Sequence, residues 1–99
     1  MNFRSSPRTL LQLPIRFLGD ESAGRGQLVN LCTPGCAIES RTSLQAGAYV
    51  SLEILVQEEF QPVCIPLAKV RWVREGRLGL EFLRYEGSAR EQLEQLQNG

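Results

Sequence analysis

The sequence predicts an all-β domain: six antiparallel strands closed into a barrel, with a short α-helix at the C-terminal end. Three observations predict it. Apolar and polar residues alternate through a series of short segments, which is the period of a half-buried strand. Turn residues punctuate those segments at short, fairly even spacing, which favours a closed antiparallel barrel over an α/β sheet. From Ser88 onward the period becomes helical.

The first nine residues, MNFRSSPRT, read as a mobile arm. Two Arg, two Ser and a Pro leave it little apolar surface to offset its ordering entropy. Residues 10–99 read as a single domain, because a chain of 99 residues has no room for two independent cores. In 10–18, Leu11, Leu13, Ile15 and Phe17 point one way and Gln12, Pro14 and Arg16 the other. Pro14 cannot donate to a ladder, so a free edge is expected there. Residues 19–26 read as a turn-rich loop and 27–32 as the second strand. Thr33-Pro-Gly35 breaks the run, and 36–39 restarts it as a short third strand. After a connection at 43–47, residues 49–57 carry Val50, Leu52, Ile54 and Val56 on one face. Residues 58–62 form a turn. The fifth strand, 63–74, is expected to bend or bulge near Pro66. Glu75-Gly76 is a tight turn, and 78–83 is the sixth strand. Ser88 and Glu91 have the spacing of a capping box, and Leu93 and Leu96 share one face of the helix that follows, 88–97.

Composition limits the function. Eleven basic and eleven acidic residues give zero net charge, which disfavours sequence-independent DNA or RNA binding. A small anionic ligand needs only a local field and remains open. No apolar run approaches the roughly 20 residues of a membrane span, so no membrane insertion is expected. No apolar leader follows the N-terminus, and the expected localisation is cytoplasmic. The three cysteines, Cys32, Cys36 and Cys64, lack the count and spacing of a disulfide framework. Cys32 and Cys36 read as small core or rim residues. There is no histidine, which removes the commonest general base, and no metal site or catalytic pair is expected.

Three features carry the remaining chemistry. Arg4 and Arg8 stand four apart on the arm. Asn30-Leu-Cys32-Thr-Pro-Gly35 lies at a strand-to-strand turn. Val70-Arg-Trp72 is followed by Gly79-Leu-Glu-Phe82. A guanidinium is a planar fork that pairs bidentately with phosphate or with guanine O6 and N7. The Asn30 amide can both donate and accept without placing an anion beside phosphates. Gly35 allows positive φ and close backbone approach. Trp72 offers either a stacking face or barrel packing. Gly79 and Phe82 read as structural.

Arg-xxx-Arg, then Asn/Asp-x-Ser-xx-Gly, then Val-x-Trp and Gly-x-x-Phe, in that order along nearly the whole chain, resembles the PilZ domain family. The resemblance implies a six-stranded Greek-key split barrel that binds cyclic di-GMP and uses no cofactor. It implies that Arg4 and Arg8 contact guanine edges and phosphates, that the Asn30–Gly35 turn holds guanine, and that the arm closes over the ligand. Output would pass to a protein effector in motility, biofilm or exopolysaccharide control. Cys32 stands where the family pattern has Ser, and Phe3 where many strong binders have a further Arg. These departures keep a second reading in view, a nucleotide-independent adaptor acting by protein–protein contact. A small phosphodiesterase is a third, and it lacks a metal cluster or acid–base pair.

Overall fold

The computed structural model describes residues 13–20, 22–56 and 62–98. Six strands and one helix follow one another: β1 Leu13–Leu18, β2 Ala23–Cys32, β3 Gly35–Ser40, β4 Tyr49–Ile54, β5 Val63–Arg74, β6 Arg77–Arg84 and α1 Ala89–Asn98. All ladders are antiparallel, and the strands close in the order β1-β2-β3-β6-β5-β4. β4, β5 and β6 form a meander, and β3 lies beside β6 rather than β4. That is the spatial order of a Greek key.

Alternation fills the interior. Ile15, Phe17, Leu28, Ile38, Val50, Leu52, Ile54, Ile65, Val70 and Leu80 are buried, and among the described residues no polar or charged residue is. α1 contributes Ala89 and Leu93 to the same core and packs against β5 and β2. It begins one residue after Ser88, whose carbonyl accepts from the Gln92 N–H at 2.9 Å.

Several boundaries differ from the sequence expectation for physical reasons. β2 starts at Ala23, so 23–26 is strand, not loop. Its glycines are there for close approach: a Cβ at Gly24 would run into the Phe17 ring and Thr42, and one at Gly26 into the Glu39 carbonyl. β1 has no free edge, since it pairs with β2 on one side and β4 on the other. Pro14 fits because it sits one residue beyond the β4 ladder. Its carbonyl accepts from the Leu55 N–H at 2.9 Å, and it has no N–H to continue the ladder. β4 accordingly stops at Ile54 instead of reaching residue 57. The irregularity near Pro66 is a β-bulge: Val50 pairs with Ala68 but Leu52 with Ile65, leaving an extra residue on β5.

The β5–β6 hairpin turns on Glu75 and Gly76, both with positive φ, 52° and 82°. Positive φ at both positions is the signature of a type I′ turn, which favours Asn-Gly. Replacing Glu75 with Asn should stabilise the domain by up to about 1 kcal/mol, because Asn tolerates the left-handed region better. Urea denaturation of Glu75→Asn checks this: the midpoint should rise with an unchanged slope.

Candidate functional site

β2 and β3 meet in a two-residue turn, Thr33-Pro34, whose peptide bond is cis. The turn is held from two sides. The Phe82 N–H on β6 donates to the Pro34 carbonyl at 2.7 Å, and the Thr33 N–H donates to Gln97 Oε1 on α1 at 3.0 Å. Cys32 pairs with Gly35 across the start of the turn. Gly35 is required for close approach and not for positive φ, contrary to one of its two expected uses. A Cβ there would lie 2.6 Å from the Leu80 carbonyl oxygen, and its φ is not among the positive ones.

Asn30 is set by a bulge. Leu28 pairs with Ile38 but Asn30 with Ala37, so Val29 is the extra residue on β2. The bulge lets Leu28 and Leu31 both enter the core, three positions apart, and leaves Asn30 half-buried between them. Its Oδ1 is shielded from solvent and has no hydrogen-bond partner among the described residues; Thr33 Oγ1 is in the same condition. Leaving such an acceptor unpaired costs about 1–3 kcal/mol. An N–H donor from a guanidinium or from the Watson–Crick edge of guanine, met by a turn of this half-buried amide toward the surface, would remove that cost.

The ladders carry Asn30 to Trp72. Asn30 pairs with Ala37, Ala37 with Gly79, and Gly79 with Trp72. The two small residues leave a low shelf between amide and indole, roughly 14 Å across at ordinary strand spacing. Trp72 lies on Gly79, where a Cβ would overlap the indole, and it is 40% exposed. The packing expected of Trp72 is therefore present. The ring covers β6, and it also presents a surface to solvent. The Arg74 guanidinium stands over that ring, with Cζ 5.9 Å from its centroid. Neighbouring arginines are neutralised: Arg77 donates to Glu39 Oε2 through Nε and Nη2 at 3.1 and 3.0 Å, and Arg71 lies 3.4 Å from Glu81.

Asn30, Cys32, Gly35 and Trp72 thus gather on β2, β3 and β5 around one face and one turn. Arg4 and Arg8 lie outside the described residues. Sequence reasoning missed Thr33, Gln97 and Arg74. The helix contact through Gln97 has no local sequence signal. Arg74 could have been found from its position two residues beyond Trp72, on the same strand. A separate cleft of about 480 Å³ lies at the opposite end of β2, lined by Asp20, Ser22, Ser43, Gln45 and Tyr49 among others. It has no arginine in its lining, and Asp20 would repel a phosphate. Among the described residues no group of three or more His, Cys, Asp or Glu could hold a metal ion, and no helix is long and apolar enough to cross a membrane.

The cysteines are all free: Cys32 is exposed, Cys64 half-buried and Cys36 buried. Burial pushes the Cys36 thiol from its ordinary 9.0 up to about 12, and desolvation, with Glu86 and Glu53 adding to it, raises Cys64. Iodoacetamide should therefore label Cys32 in the native protein and leave Cys36 untouched until unfolding. The raised Cys36 value also gives a signed pH dependence. Its contribution to stability is complete below pH 9 and lost as pH rises from 9.0 to about 12. Over that window the native protein should lose up to about 1.4 kcal/mol per pH unit more than Cys36→Ala does, as read by urea denaturation.

The PilZ domain model matches residues 2–98 of the chain. Among solved structures, an inhibitor of motility from Bacillus subtilis (MotI/DgrA) is similar, with a TM-score of 0.75 and 21% sequence identity. The match covers 98% of this chain and 50% of that protein, so the chain spans about half its length. No curated protein matches at the level of sequence. The barrel order, the Asn30–Gly35 turn, the Trp72–Gly79 pair and a family match over almost every residue agree, and the chain belongs to the PilZ domain family, a family of cyclic di-GMP receptor and adaptor domains.

Proposed function

We propose that the chain is a cyclic di-GMP receptor that binds its ligand on the outer face of the barrel, beside the Asn30–Gly35 turn, and passes the bound state to a protein partner. The observation that carries this reading is the unpaired, shielded Oδ1 of Asn30 at the end of the Asn30–Ala37–Gly79–Trp72 row. Guanine N1–H and N2–H are donors of the kind that oxygen needs. The ligand brings two phosphates and two guanines, and Arg4 and Arg8 supply guanidinium forks for them. The leading segment, 1–9, closes over the nucleotide, so part of the contact energy is consumed in ordering it. The new surface made by that closure is what a partner reads. No catalytic step is proposed, and binding and release are the whole cycle. The similar Bacillus subtilis protein is an inhibitor of motility, which supports an output through a partner in motility control; biofilm or exopolysaccharide control and a cytoplasmic location are further parts of the proposal.

Cys32 favours one competing reading. It is exposed beside the turn, and a thiol is a weak donor and acceptor. A nucleotide-independent adaptor could dispense with the stronger hydroxyl. Isothermal titration against cyclic di-GMP separates the two. The receptor reading expects binding heat, its loss in Arg8→Ala, and a roughly two- to tenfold tighter complex in Cys32→Ser, the worth of one ordinary hydrogen bond. Absence of both heat and chemical-shift change at high micromolar ligand rejects the receptor. A partner captured equally well with and without nucleotide, and by Arg4→Ala/Arg8→Ala, supports the adaptor.

A further inference from the structure

Trp72 and Arg74 stand in an arrangement that stabilises little by itself. Gly79 fixes the indole against β6, and 40% of Trp72 remains exposed. Above it the Arg74 guanidinium sits 5.9 Å from the ring centroid. That is the outer limit of a direct cation–π contact, about 6 Å to the centroid, so the pair is loosely held. Arg74 is exposed, so its side chain can swing aside to admit an aromatic plane over the indole. Arg74 is also available. Arg71, Arg77, Arg16 and Arg90 each have a carboxylate partner, while Arg74 has no ion pair among the described residues.

We infer that Trp72 and Arg74 are the two jaws of a purine clamp: one base of the ligand enters between indole and guanidinium, with its edge directed along the shelf toward Asn30. This rests on the cyclic di-GMP reading and adds to it a ligand residue, Arg74, on β5. Stacking on Trp72 supplies the lower contact. The guanidinium supplies a cation–π contact from above, and a dianionic ligand strengthens its hold on the cation. The clamp acts on the π face of the base. It therefore contributes affinity for purines in general, and the discrimination for guanine stays with the edge contacts at Asn30.

Trp72 is the only tryptophan in the chain, so its emission reports on the clamp alone. The full chain is titrated with cyclic di-GMP by calorimetry and by fluorescence in parallel. The clamp expects quenching of Trp72 emission that saturates with the heat. It expects Arg74→Ala to bind roughly three- to tenfold more weakly, with the same proportional loss for cyclic di-AMP, and Arg74→Lys to recover part of the loss. Thermal denaturation of each variant shows that the barrel is intact, since Arg74 is exposed and makes no buried contact. Heat with unchanged Trp72 emission, or an Arg74→Ala affinity equal to the native one, overturns the clamp and leaves the receptor standing. Absence of heat overturns the receptor, and the clamp falls with it.

Discussion

A flat ring can lie across a neighbouring strand only where that strand has no side chain standing up beneath it. Gly79 supplies that condition: with a Cβ there, the Trp72 indole would have to leave the sheet. Gly35 supplies the matching one at the turn, where its missing Cβ lets β3 approach the Leu80 carbonyl. The outer face between Asn30 and Trp72 is low for this reason. It is also rigid, because the strands below it belong to a closed barrel whose inner face is filled by Leu, Ile, Val and Phe. Closure leaves the polar side chains of these strands, and the Trp72 indole, the outside.

Electrostatics bear on the proposed ligand of the shelf. The chain as a whole is neutral, so it has no general attraction for polyanions. Its exposed ion pairs, such as Arg77–Glu39 and Arg71–Glu81, contribute at most about 1 kcal/mol each to stability. Their larger effect is local: they cancel the charge of two arginines beside the shelf and leave Arg74 as the uncancelled one there. A small dianion with flat bases suits that field better than a long nucleic acid does. The turn adds a mechanical link, since Thr33 is tied to Gln97 on α1. Whatever moves the turn therefore acts on the helix as well.

Much of this was legible in the sequence, because a barrel with a dry interior enforces period-two alternation. Ile15 and Phe17, and Val50, Leu52 and Ile54, follow from that rule, and the proline at 66 marks the bulge on β5. The errors have physical sources. Glycine marks turns and also close approaches, and Gly24 and Gly26 were of the second kind. Pro14 marks an edge only if the neighbouring ladder continues, and here β4 stops beside it. Val56 keeps the apolar period beyond the end of its strand, so the alternation overran the ladder. At the candidate site, Asn30, Gly35 and Trp72 were singled out by their residue type and order. The cross-strand register that aligns Asn30 with Trp72 depends on two bulges, at Val29 and Arg71, that no Pro or Gly marks in the sequence. The expected Arg4 and Arg8 contacts lie outside the described residues.

The most direct measurement of the central claim is a residue-by-residue map of amide chemical shifts as cyclic di-GMP is added to the labelled protein. The account requires the largest changes at Asn30–Ala37, Trp72 and Gly79, spreading to the Gln97 end of α1. Changes concentrated instead around Asp20, Ser43 and Tyr49, at the far end of β2, would contradict it.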